Sequence, residues 1–133
     1  MAVVADTHTL IWYLRGSSRL SETAIATLDQ TVQAGSTIYL ASISLIEITY
    51  LVERNRIPES AFEQLIQALT DSNTSFAIVA LDLAIAQIIP QIDRATVPEM
   101  PDRIIAATAL HLNLPLITRD HRIQALQNVQ TIW

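Results

Sequence analysis

The chain contains no cysteine and no lysine. Without cysteine there are no disulfides, no thiol nucleophiles and no zinc–thiolate sites. Without lysine there is no Schiff-base chemistry, nor the lysine that aspartyl-phosphate enzymes keep beside their acidic pocket. All eight cations are therefore arginines. Glycine occurs only at Gly16 and Gly35, so neither a Walker loop nor a dinucleotide-binding fingerprint can be written into the chain. No apolar run approaches the ~20 residues of a membrane span, and the N-terminus lacks a basic, signal-like start. A soluble, cytoplasmic protein is the expectation. A net charge of −5 argues against non-specific nucleic-acid binding, without forbidding a local arginine patch.

What is present fits one globular domain over residues 1–133, since half of the residues are hydrophobic and only 16% are charged. Ala2 to Ala5 is a continuous apolar run that reads as a buried strand, with Asp6-Thr7 directly after it. Helices are expected at Leu10–Arg15 and from Ser21 to about Ala34. A strand follows at Thr37–Ala41, then a helix that Ser42 can cap, running to about Arg56. Pro58 starts a fourth helix, carried by Phe62, Leu65, Ile66 and Leu69 at helical spacing. Phe76–Leu81 is a third strand, and Asp82 opens a helix that Pro90 kinks or ends. A central helix begins at Pro101 and stops at Asn113 and Pro115. Leu114–Thr118 is a short strand, Ile123–Leu126 a helical turn, and Val129–Trp133 a last strand. Apolar strands alternating with helices predict a single three-layer α/β/α domain around a mainly parallel sheet of four to five strands.

In such sheets ligands bind beyond the carboxyl ends of the strands. Asp6 follows the first strand, Glu47 sits in the opening turns of the helix after the second, Asp102 begins the central helix, and Asp120 follows the strand after it. Four acids from four segments thus converge on one edge. Glu47 is the most telling. Its helical neighbours Ile43, Ser44, Tyr50 and Leu51 form a mostly apolar face, where a carboxylate needs a partner, either an arginine or a metal ion. Separately, Asp6 reads as a helix cap, Asp102 as a first-turn dipole partner and Asp120 as a turn residue. Together they repel unless a cation neutralises them or some take up protons. Asp82 reads as a cap, and Glu53, Glu59, Glu63 and Glu99 as solvent-facing. His8, His111 and His121 show no metal-ligand spacing, and Trp12 and Tyr13 read as core or partner surface.

Asp6-Thr-His-Thr-Leu-Ile-Trp12, Ser44-Leu-Ile-Glu-Ile48, Met100-Pro-Asp-Arg-Ile-Ile-Ala-Ala-Thr-Ala109 and Leu116-Ile-Thr-Arg-Asp120 together resemble the PIN-domain nucleases. They are most similar to the VapC-type toxins of prokaryotic toxin–antitoxin pairs. The resemblance spans nearly the whole chain in the family's order and spacing, with no substitution at an expected acidic position. It implies a PIN-like fold and a magnesium- or manganese-dependent endoribonuclease that forms homodimers. It also implies a VapB-type antitoxin whose tail covers the acidic pocket. By the same resemblance Asp6, Glu47, Asp102 and Asp120 are the metal-binding and catalytic acids, and Thr118 is the hydroxyl residue supporting the last.

Hard divalent cations prefer oxygen ligands, which suits such a site. Either Asp120 or Glu47 is a candidate to orient the attacking water. Arg103, Arg119, Arg15 and Arg19 are candidate phosphate contacts. Two alternatives stand beside this reading. One is a catalytically silent PIN-like module that binds RNA or protein. The other is a metal-dependent phosphatase for small phosphoesters, against whose aspartyl-phosphate type the missing lysine argues.

Overall fold

The computed structural model describes all residues from 1 to 133. Five strands form one sheet: β1 (Val3–Ala5), β2 (Ile38–Ala41), β3 (Phe76–Val79), β4 (Leu116–Ile117) and β5 (Thr131–Ile132). They lie in the order β3-β2-β1-β4-β5, and every pairing is parallel. Between them run α1 (Thr7–Leu14), α2 (Glu22–Gln33), α3 (Ile43–Glu53), α4 (Glu59–Thr70), α5 (Leu83–Ile88), α6 (Met100–Leu112) and α7 (His121–Gln124). None of them is long and apolar enough to cross a membrane.

The sheet is covered on both faces, which is why its strands are apolar at consecutive positions. Val3, Val4 and Ala5 have no exposed surface at all. Successive side chains point to opposite faces, so β1 feeds two cores. Val3 and Ala5 join Leu10, Leu28, Ile48 and Leu65 beneath α1 to α4. Val4 joins Ile85, Ile105, Ala106 and Ala109 beneath α5 and α6. The result is the three-layer α/β/α domain that the alternation of apolar strands and helices predicts.

The boundaries move where side chains reach the backbone. Helix α1 starts at Thr7 rather than Leu10 because the Asp6 carboxylate accepts from the Thr7 N–H at 2.8 Å. Asp120 likewise accepts from the N–H groups of Arg122 and Ile123, so α7 begins at His121. Ser21 and Asp82 cap α2 and α5 as expected. Ser42 does not cap α3: its backbone is already helical, and its Oγ accepts instead from the Leu81 N–H. Helix α6 ends at Asn113, which takes the left-handed conformation at φ 54°.

The chain winds outward from β1 to β2 and β3, then returns across the sheet to place β4 on the other side of β1. The neighbouring pair β1 and β4 is therefore the topological switch point, and the crevice beyond their carboxyl ends is where an open parallel sheet places its ligand.

Candidate active site

A cleft of about 650 Å³ opens at that point. Its walls carry Asp6 from the end of β1, Glu47 from α3, Asp102 from the first turn of α6 and Asp120 from the end of β4. All four acids singled out in the sequence are brought together.

Threonines organise them. The fully buried Thr118 donates to Asp6 Oδ2 at 2.6 Å while its Oγ1 accepts from the Asp120 N–H at 3.0 Å, tying the two acids across the switch point. Thr7 Oγ1 lies 2.7 Å from both Glu47 Oε1 and Ser44 Oγ. A hydroxyl has one proton. Donation to the carboxylate is the stronger, charge-assisted choice, which leaves Thr7 accepting from Ser44. Thr9 Oγ1 donates to the Ile117 carbonyl at 2.9 Å, fixing α1 against β4. Glu47 thus has a partner that is neither arginine nor metal, and that partner removes none of its charge.

No guanidinium reaches these carboxylates; the donors to Asp6, Glu47 and Asp120 are threonine hydroxyls and main-chain N–H groups. The electrostatic consequence is direct. Burial raises the Asp6 carboxyl above its ordinary range, although the bonds from Thr118 and Thr7 pull the other way. Burial likewise raises Glu47, with the charge of Asp6 adding to the effect. Asp102 is pushed up to about 7, first by burial and then by the charges of Asp6, Asp120, Glu47 and Glu99. Such shifts follow from burying several carboxylates in one cleft, and they are frequent at functional sites.

The donor set fits a hard divalent ion: the four carboxylates offer oxygen ligands only, and none is paired directly with a guanidinium. No three of these side chains close into a ready-made cage of direct ligands.

The arginines divide. Arg19 and Arg119 line the cleft. Arg103 does not; its Nη2 donates to the carbonyls of Ile89 and Ile92 at 3.0 and 2.9 Å, and its buried Nε has no partner. As a candidate phosphate contact it is therefore corrected to a clamp between α6 and the turn after α5. Nor does Arg15 line the cleft; it caps the end of α1 through its backbone. Arg103→Ala should cost about 1–3 kcal/mol in urea unfolding, because two part-buried carbonyls lose a charged donor. A large fall in substrate affinity at unchanged stability would contradict the clamp.

Thr7, Ser44, His8, His121 and Trp12 also belong to the site or its support, and the sequence reading gave none of them a role there. Thr7 and Ser44 had a signal, since one adjoins Asp6 and the other lies one helical turn before Glu47. His8 and His121 flank Asp6 and Asp120 in sequence. His111 is exposed near the far end of α6. Tyr13 packs inward, donating to Asp29 at 2.6 Å and meeting the edge of Phe76.

A family model described as PIN domain matches residues 3–129. The chain is similar to Ribonuclease VapC22 of Mycobacterium tuberculosis, 29% identical over 136 residues that cover 98% of either chain. Its fold is similar to VapBC2 from Rickettsia felis, solved bound to a DNA fragment from their promoter, with a TM-score of 0.73 at 17% identity over 99% of this chain and 98% of that one. A toxin-antitoxin complex from Klebsiella pneumoniae gives a TM-score of 0.66 at 20% identity over 98% of this chain and 96% of its counterpart. At these identities the two solved structures speak for the fold alone.

Proposed function

The chain belongs to the PIN domain family, and on that premise we propose that it is a magnesium- or manganese-dependent endoribonuclease hydrolysing RNA phosphodiester bonds. In this reading it is the toxin of a VapBC-type pair acting in the cytoplasm. The observation that carries it is the convergence of Asp6, Glu47, Asp102 and Asp120 on one cleft, where no guanidinium pairs directly with them.

These four residues would hold the metal, directly or through water. When bound, a divalent ion of this kind activates water, positions the phosphodiester and stabilises the leaving oxygen. The protein's own contribution is orientation. Thr118 and the Thr7 N–H fix both oxygens of Asp6, and the Thr7 hydroxyl fixes Glu47. Glu47 and Asp120 are both placed to hold a proton from a water in the cleft. Arg19 and Arg119 supply positive charge on a wall that otherwise repels RNA.

Support for the ribonuclease assignment comes from the relative Ribonuclease VapC22, and the toxin–antitoxin complex among the solved neighbours shows this fold in the setting that the toxin reading requires. A VapB-type antitoxin and a second copy of the chain both need apolar surface on which to dock. The protein offers it at Ile46, Tyr50, Met100 and Leu83, which are 54%, 55%, 64% and 73% exposed.

The test is cleavage of RNA by purified protein with manganese, with EDTA, and against a small phosphoester. RNA cleavage abolished by EDTA is expected, and preference for the small ester would overturn the assignment. Thr118→Val bears on the same site. Without the hydroxyl that orients Asp6, the manganese concentration giving half-maximal cleavage should rise roughly 10- to 100-fold, the usual effect of losing an outer-sphere partner. An unchanged manganese requirement would show that Thr118 serves the fold alone.

A further inference from the structure

Three of the four acids are pinned by donors. Thr118 and the Thr7 N–H hold Asp6, the Thr7 hydroxyl holds Glu47, and the N–H groups of Arg122 and Ile123 hold Asp120. Asp102 has no such donor: burial and neighbouring charge raise its carboxyl, and no hydrogen bond works against them. Its place in the cleft is therefore inherited from the backbone of the first turn of α6.

That turn has little of its own to hold it. Pro101 presets one φ angle there. Glu99, which precedes the helix, makes no side-chain cap, Met100 is exposed, and the buried face of α6 begins only at Ile104. A helix end without such anchors frays. The side-chain hydrogen bonds that tie this turn to another segment both belong to Arg103, whose Nη2 lies between the carbonyls of Ile89 and Ile92. Its backbone N–H closes the turn on the Glu99 carbonyl at 3.0 Å. The buried Nε is left unpaired in this pose, a cost that an arginine free to turn to water would avoid.

The far side of the clamp is firm. Ile89–Gln91 is a single 3₁₀ turn, closed by the Ile92 N–H on the Ile89 carbonyl at 2.9 Å. Ile92 and Val97 are fully buried, and Asp93 between them accepts from the N–H and hydroxyl of Thr96. Successive helical residues diverge by about 100°, so Asp102 enters the cleft while its neighbour reaches this turn.

From this geometry we propose that Arg103 is a positioning residue: by clamping the first turn of α6 to the turn after α5, it sets where the Asp102 carboxylate sits and hence how tightly the cleft holds its divalent ion. The inference rests on the ribonuclease reading and deepens it. Arg103 itself touches neither the ion nor RNA.

The probe is manganese alone, with bound and free ion separated by EPR and no RNA present. Arg103→Met keeps an apolar stem and removes the donor. It should weaken manganese binding roughly 10- to 100-fold, the usual effect of losing an outer-sphere partner. Arg103→Lys keeps a charged donor without the planar fork and should recover part of that loss; it runs through the same measurements if Arg103→Met folds poorly. Ile38→Val trims a buried side chain in β2 and should lower Tm while leaving manganese affinity within about threefold. In an Asp102→Asn background, Arg103→Met should still lower Tm but should change manganese affinity by less than about threefold, because the route through Asp102 is gone. An Arg103→Met protein that melts earlier yet binds manganese as before would overturn the proposal, as would an equal loss of binding with and without Asp102. RNA cleavage by the unaltered protein would leave the nuclease assignment standing in either case. If the unaltered protein binds no manganese and cleaves no RNA, the nuclease assignment falls, and the positioning role with it.

Discussion

Asp6→Asn is expected to lower kcat/KM for RNA cleavage by about 10³-fold or more, with the fold intact. Asparagine has almost the same shape as aspartate, and its carbonyl oxygen can still accept from the Thr7 N–H. The Thr118 hydroxyl can rotate to accept from the new amide instead of donating to a carboxylate. What disappears is the negative charge at the centre of the cleft, the one acid whose two oxygens are both held in place. Stability should not fall, because the charge removed is one that burial disfavours. The measurement is a manganese-dependent cleavage assay beside a thermal melt of the metal-free protein. Activity surviving in a well-folded variant would mean that the reacting centre lies elsewhere.

Asp102→Asn should stabilise the metal-free protein above pH 7 while impairing its metal-dependent activity. In the folded protein this carboxyl titrates at about 7 against an ordinary 3.8. Between those two values the folded state binds more protons than the unfolded one, so stability falls as pH rises through that window. The penalty is absent below about pH 3.8 and complete above about pH 7. Solvent reaches part of the side chain, which screens the repulsion from Asp6, Asp120, Glu47 and Glu99. After that discount the gain from asparagine at pH 8 should be about 2 kcal/mol, or several degrees in Tm. Titrating other groups in both proteins cancels from the difference between their melts, which should widen from pH 4 to pH 8. Manganese should raise the Tm of the unsubstituted protein at pH 8 by more than that of the variant. A difference between the two that does not change with pH would mean that neither burial nor the neighbouring charges hold this carboxyl above its ordinary range.

Both results express one property: half-buried and buried carboxylates are gathered in one cleft, where burial and their mutual charge disfavour the ionised form. On the function proposed above, the same charges would hold the ion.

The sequence alone carried the architecture, because its signals were local. Consecutive apolar residues at Val3-Val4-Ala5 mean a strand covered on both faces, and helical spacing at Phe62, Leu65, Ile66 and Leu69 means one buried stripe. Each acid's position relative to a strand end or helix start was equally local, and a parallel sheet sends all such positions to one edge. That is why Asp6, Glu47, Asp102 and Asp120 could be gathered before any coordinates. Tertiary structure decided what each side chain touches. Ser42 looked like a cap but serves Leu81, 39 residues away. Arg103 adjoins Asp102 in sequence, yet it turns to the carbonyls of Ile89 and Ile92. Trp12 reads as core or partner surface; it does pack against the core beneath α1 to α4, but it also lines the cleft beside Arg119, a partner distant in sequence. Periodicity reports which face a residue occupies. Which groups meet on that face depends on the return of the chain from β3 to β4, a long-range event with no signature in any short stretch.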